Sequence, residues 1–159
     1  CASLLLDVLK KHGYAEATDP VYLQCFDASE LRRIRADLGC RLKLIQLVAD
    51  NEWGESPTDY AELATSAGLR DVAEYADGIG PWLRQLYTVP LIDGDPVSSG
   101  LVERAHAAGL QVHPYTFRAD AIEPCFGDFS TMVSWFTAHL QVDGLFTDFP
   151  DQARAALPF

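Results

Sequence analysis

Basic residues are scarce in this chain: 12 Lys and Arg stand against 23 Asp and Glu, for a formal charge of −11. Nucleic-acid recognition needs clustered cations to neutralise phosphates, so no nucleic-acid partner is expected. The one basic cluster, Arg32, Arg33, Arg35 and Arg41, reads as the solvated face of a helix. Long apolar runs are also missing. The longest, Leu42 to Ala49, is interrupted by Lys43 and Gln46, far short of the roughly 18–20 residues that cross a bilayer. No Cys-x-x-Cys pair occurs among Cys1, Cys25, Cys40 and Cys125, which removes the common zinc frameworks. Cys25 lies in an apolar run and is expected as a buried thiol; one disulfide stays open as a possibility. There is no initiating Met and no signal-peptide pattern. Cys1-Ala-Ser runs straight into a helical stripe, which suggests a missing upstream part, with a mature lipoprotein as the alternative.

What is present is an alternation of helical stripes and short apolar runs. Leu4, Leu5, Val8 and Leu9 recur at helical spacing, and Gly13 follows as a stop. Val21–Phe26 reads as a strand, and Asp27-Ala-Ser-Glu30 has the spacing of a capping box opening the next helix. Leu42–Val48 is the second strand, and Asn51–Thr58 is a loop broken by Gly54 and Pro57. Helices are expected near Tyr60–Thr65 and Leu69–Ala76, then a strand at Asp77–Pro81. After an irregular region come a helix at Ser99–Ala108, a strand at Leu110–Phe117, and a helix from Asp128 to about Leu140. Gly144–Thr147 is the last strand, and Gln152–Ala156 the last helix. Five βα units in a row imply a parallel sheet. They leave two architectures, a doubly wound open sheet and a (β/α)8 barrel. The absence of Gly-x-Gly-x-x-Gly after the first strand weakens a dinucleotide-binding version of the former.

Four segments carry more information than periodicity. Val21-Tyr-Leu-Gln-Cys-Phe-Asp27, Ala73-Glu-Tyr-Ala-Asp-Gly-Ile-Gly-Pro81, Val112-His-Pro-Tyr-Thr-Phe-Arg118 and Gly144-Leu-Phe-Thr-Asp-Phe-Pro-Asp151 occur in that order. Together they resemble consecutive landmarks of the glycerophosphodiester phosphodiesterases, and the second is similar to the periplasmic bacterial branch. The resemblance implies a TIM-barrel-type (β/α)8 fold in which residues 1–159 are the C-terminal portion of one barrel domain, supplying strands 4 to 8. It implies metal-dependent hydrolysis of a small glycerophosphodiester to glycerol 3-phosphate and an alcohol. A divalent cation, Ca²⁺ or Mg²⁺, would neutralise charge on the phosphate. The family's His-Arg, Glu-x-Asp, His-Asp and Glu-x-Lys motifs find no match here. The catalytic residues and metal ligands are therefore expected upstream, and the chain alone is expected to be inactive. A periplasmic or secreted location follows from the same branch resemblance. Two other readings are kept: a non-catalytic half-barrel scaffold that self-associates or pairs with a missing N-terminal half, and a different phosphate-handling barrel enzyme.

On a strand, alternate side chains share a face, and barrel active sites lie at strand C-terminal ends. Gln24, Phe26 and Tyr115 are therefore the candidate substrate-binding residues. Tyr115 stands where many relatives have a pocket-lining Trp, and Cys25 where a serine is common. His113, Tyr115 and Phe117 are expected on one face, with His113 structural, not catalytic. Asp148 is expected to bond nearby backbone amides. Arg118 stands where many relatives have Asn. Trp53 and Trp82 follow predicted strands and are expected near the pocket.

Overall fold

The computed structural model describes residues 2–89 and 94–157; Cys1 lies outside them. Helix α1 (Ala2–Lys11) leads into strand β1 (Tyr22–Cys25), and α2 (Ala28–Ala36) into β2 (Lys43–Val48). Helices α3 (Tyr60–Leu63) and α4 (Ser66–Val72) precede β3 (Gly78–Pro81). A short ribbon, β4 (Tyr87–Thr88) with β5 (Val97–Ser98), lies within the stretch expected to be irregular, of which residues 90–93 are outside the described residues. Then follow α5 (Leu101–Ala107), β6 (Gln111–Val112), α6 (Phe129–Ser134) with a wider turn over Trp135–His139, and α7 (Pro150–Ala156).

The main sheet runs β1-β2-β3-β6, with every pair parallel. Each strand lies beside its predecessor, so the order never reverses. A doubly wound sheet reverses at a switch point; a barrel wall does not, and the fold is of the TIM-barrel type. The fifth expected strand is reduced to a hydrogen-bonded segment. Phe146 donates to the Pro114 carbonyl at 2.9 Å, Phe117 donates to the Phe146 carbonyl at 2.8 Å, and Thr147 bridges Phe117. Beyond Thr147 the Phe149 amide turns to the Thr147 hydroxyl at 2.9 Å and Pro150 has no amide donor, so the ladder goes no further.

Register assigns the two faces. Leu23, Leu44, Gln46, Val48, Ile79 and Val112 point one way, against the helices. Leu31 and Ile34 of α2, Leu69 and Val72 of α4, Val102 and Ala105 of α5, and Met132 and Phe136 further on form one buried cluster with the outward apolar residues of the strands. The other face is the barrel's inner wall. There Ile45 and Leu47 are buried beside Gly78 and Gly80. A Cβ on Gly78 would sit 2.8 Å from Ile45 Cδ1, and one on Gly80 2.7 Å from Leu47 Cδ2. The glycines of β3 let β2 side chains lie across the wall.

Several expectations are corrected here. Asp27 does cap α2, accepting from the Ser29 and Glu30 amides, but the capping box is half-formed because Glu30 turns to Arg33 at 2.7 Å. The arginine cluster is not simply solvated. Arg32 pairs with Asp71 and covers the Tyr75 ring at 4.2 Å, and Arg41 pairs with Glu16. Arg35 donates to the Cys40 carbonyl at 2.6 Å, the Tyr75 carbonyl at 3.0 Å and Asp77 at 2.7 Å. Since Asp77 also accepts from the Leu44 amide at 2.8 Å, one arginine fastens the entries of β2 and β3. Cys40, not Cys25, is the buried thiol, because β1 is the sheet edge and Cys25 is only half-covered. Cys25, Cys40 and Cys125 are all free.

Candidate functional site at the strand ends

The C-terminal ends of the strands carry a concentration of rings. Phe26 directly follows β1, and its ring meets Tyr115 edge-on at 5.9 Å and Tyr60 at 6.4 Å. Tyr115 and Trp82 are register neighbours on the inner wall. Trp82 in turn meets Trp53 at 4.9 Å. The Tyr115 hydroxyl donates to the Val48 carbonyl at 2.9 Å, which fixes the ring against the end of β2. Its pKa is raised, mainly by burial and further by Tyr60 and Glu55, so it stays a neutral donor.

A single carbonyl organises this end of the wall. Phe26 O accepts from Gln46 Nε2 at 2.9 Å, from Ser56 Oγ and Thr58 Oγ1 at 3.2 Å each, and from Tyr60 Oη at 3.4 Å. The loop after β2 is thereby anchored to the end of β1. Asn51 clamps the same loop, donating to Asp59 at 2.9 Å and accepting from the Tyr60 amide at 2.7 Å. Gly54 closes its first turn with φ 65°, a conformation that favours glycine.

Of the three candidate substrate residues, the structure brings Phe26 and Tyr115 together and leaves Gln24 apart. Gln24 lies on the same face, paired in register with Ile45. It is exposed and makes no side-chain hydrogen bond among the described residues. Phe117 departs from its expected face. It is fully buried and packs edge-on against Phe136 of the helical layer at 5.0 Å; the ladder ends at Thr147, and the ring follows the larger apolar surface. Asp148 also departs from expectation. It accepts from Arg118 at 2.8 Å, and Arg118 holds Asp120 as well. Thr147 supplies the local backbone contact instead, accepting from the Phe149 amide at 2.9 Å.

His113 stacks edge-on against Tyr22 at 4.9 Å and lies over Gly144, where a Cβ would come within 2.9 Å of its ring. Burial lowers its pKa; Asp143 pulls it up and Lys43 pushes it down. The folded chain therefore resists a proton that the unfolded chain accepts once pH falls below the ordinary histidine value near 6.5. Stability should fall with pH from that point downward. In urea titrations, a His113→Gln variant should lose less stability between about pH 7.5 and 5.5 than the parent chain does. Parallel losses would show that His113 is not the group responsible.

Three features escaped sequence reading: the Phe26 carbonyl, the fully buried Gln46, and the Arg35–Asp77 clasp. A polar residue inside the run Leu42–Ala49 was the only available signal for Gln46. Among the described residues, no group of three or more His, Cys, Asp or Glu is arranged to hold a metal ion, and no helix is long and apolar enough to cross a membrane.

Comparison with known proteins adds an independent line. The sequence profile of the glycerophosphoryl diester phosphodiesterase family matches residues 2–152. A glycerophosphodiester phosphodiesterase of Haemophilus influenzae is 36% identical over 165 residues, covering 94% of this chain and 45% of the relative. One from Treponema pallidum is 31% identical, with 94% and 46% covered. The chain thus spans about half the length of the curated relatives it matches. A solved structure from Silicibacter pomeroyi assigned to the same enzymes superposes with a TM-score of 0.63, at 21% identity, over 97% of this chain and 42% of the other. One from Agrobacterium tumefaciens gives the same TM-score at 15% identity. At those identities the likeness speaks to the fold.

Proposed function

Because the chain belongs to the glycerophosphoryl diester phosphodiesterase family, we propose that it is the C-terminal portion of an enzyme that hydrolyses glycerophosphodiesters to glycerol 3-phosphate and an alcohol. The observation that carries this reading is the profile match over residues 2–152, set on a parallel wall whose order runs without reversal. The aromatic strip at the strand ends supports it. Rings at a barrel mouth can pack against glycerol carbons and keep water from the reacting centre.

A divalent cation, Ca²⁺ or Mg²⁺, would neutralise charge on the phosphate when bound. The described residues do not fit such an ion, since no three suitable side chains converge. Its ligands and the acid–base residues belong, on this reading, to barrel units outside this chain. The part played here is to bind and orient the organic ends of the substrate. Phe26 and Tyr115 form the floor of that site, and Gln24 offers a free amide on the inner wall. A periplasmic or secreted setting is proposed from the sequence resemblance.

A second reading, a self-associating scaffold, is favoured by two features: the surface of α1, where Leu4 is 70% and Val8 55% exposed, and the place of β1 at the edge of the sheet. One experiment separates the two. Glycerol 3-phosphate release is measured for the 159-residue chain and for a natural polypeptide extended upstream, each with Ca²⁺, Mg²⁺ or chelator. The extended protein should turn over and lose activity with chelator, while the short chain should stay silent. No turnover by the extended protein would leave the scaffold reading, and turnover by the short chain would overturn the division of labour.

A further inference from the structure

The main sheet is bent, and one side chain measures the bend. β1 and β6 lie at opposite ends of the order β1-β2-β3-β6, which in a flat sheet would hold them roughly 14 Å apart. Yet Tyr22 of β1 donates its hydroxyl to Gln111 of β6 at 3.1 Å and meets the His113 ring at 4.9 Å. One tyrosine spans that gap only if the wall curls into an arc, with the ring lying across its hollow. Gly78, the register neighbour of Gln111, puts no side chain in the way.

The hollow carries a cation without a counter-charge. Lys43 is the register neighbour of Tyr22 on the same face, and its ammonium lies over the Tyr22 ring, 4.9 Å from the centre. It is half-buried, and among the described residues no carboxylate lies within ion-pair distance of it. Asp143, which acts on the same His113 as Lys43 does, is already engaged: it accepts from the Val112 amide at 2.8 Å and meets His106 Nε2 at 2.9 Å. In a chain with 23 acids and 12 bases, a half-buried lysine with no acid beside it is out of pattern.

An arc of this kind closes only by adding strands. Its four strands and the hydrogen-bonded segment around Phe146 make five of the eight in a (β/α)8 barrel. More than half of each curated relative lies beyond the matched region, which leaves room for three further units of about 30–40 residues each. Their inward side chains would fill the hollow and take Lys43 out of water. A cation is buried stably only beside a counter-charge; the ring beneath it supplies attraction but does not neutralise it.

We infer that the hollow of the wall is the seat of further parallel βα units, and that one of their inward side chains is an Asp or Glu whose carboxylate pairs with Lys43 over the Tyr22 ring. The inference rests on the reading of this chain as one portion of a longer protein, and not on the reaction.

The test uses the polypeptide extended upstream, treated with a water-soluble carbodiimide, which joins an amine to a touching carboxylate with loss of water. Peptide mass spectrometry should find Lys43 joined to one Asp or Glu upstream of Cys1. An acylating reagent should label Lys43 at least about tenfold more slowly there than in the 159-residue chain. Lys43→Met should lower the thermal midpoint of the extended protein by about 5 °C and leave that of the 159-residue chain within about 1 °C. Lys43→Arg keeps the charge and should recover most of the loss. A Lys43 that joins no upstream acid and is acylated equally fast in both chains would overturn the inference. So would equal midpoint losses in both chains, which would confine Lys43 to a role within the wall. Joining to an acid within residues 1–159 would overturn it too, and mixed pairs in an isotope-mixed sample would make a second copy the occupant. Coupling to an upstream acid in an extended protein that does not turn over would leave the inference standing and remove the hydrolase reading. Turnover with an uncoupled, freely acylated Lys43 would do the reverse.

Discussion

Replacing Gln46 by leucine should destabilise the fold by about 3 kcal/mol, read as a fall in the urea midpoint, although leucine has a similar volume and a greater liking for the interior. Gln46 is completely buried on the helix-facing side of β2. Its amide donates to the Phe26 and Leu47 carbonyls, both at 2.9 Å, and its oxygen accepts from the Tyr75 hydroxyl at 2.9 Å. Phe26 keeps other donors when the amide is lost; the buried Tyr75 hydroxyl does not. Burial already pushes the pKa of that hydroxyl up to about 12, and an orphaned buried hydroxyl costs roughly 1–3 kcal/mol. The double replacement Gln46→Leu with Tyr75→Phe should therefore recover much of the loss, because both partners vanish together. A Gln46→Leu chain as stable as the parent would mean that the network contributes nothing net.

Gly68→Ala should cost at least about 3 kcal/mol, at the upper end of overpacking losses. The direction is instructive, because helix propensity alone predicts a gain of about 1 kcal/mol for alanine inside α4. The chain turns a tight corner between α3 and α4. Thr65 marks it, accepting from the Gly68 amide at 3.0 Å. A Cβ on Gly68 would lie 2.4 Å from the Glu62 carbonyl oxygen, 2.6 Å from that of Leu63, and 2.7 Å from Leu63 Cα. All three obstacles are backbone, so no rotamer change relieves them and the two helices must separate. Gly127→Ala is the control: a Cβ there meets nothing within 4 Å, and the change should stay within about 0.5 kcal/mol. Comparable thermal midpoints for the two variants would refute the steric account.

Sequence made the layers legible and left the wiring obscure. Helices announced themselves because burial on one face imposes a period, as in Leu31 and Ile34 of α2, and Lys43–Val48, buried on both faces, announced itself as an apolar run. Tyr115 and Phe26 could be paired in advance, since both sit at strand ends on the inner face. Phe117 could not be placed by alternation, because the ladder stops at an isolated bridge and a neighbouring helix offers more apolar contact. Partner choice was hidden for the same reason that it matters: Arg35 reaches a carboxylate 42 residues away, and no local rule selects Asp77 over other acids. The acceptor that ties the mouth together, the Phe26 carbonyl, belongs to the backbone, which every residue carries alike.

The unreversed strand order also bears on how the chain is made. β2 pairs with β1, β3 with β2 and β6 with β3, so every strand leaving the ribosome finds its partner already synthesised. Sheet formation needs no strand to wait for a distant successor, and each loop closed is that of one βα unit. At translation rates of about 5–20 residues per second, a new unit emerges every few seconds. That interval is long beside the microseconds to milliseconds in which helices and short loops form. The outer edge of β1 stays open while the growing edge is always that of the newest strand, and the nascent wall advances from one end like a zip.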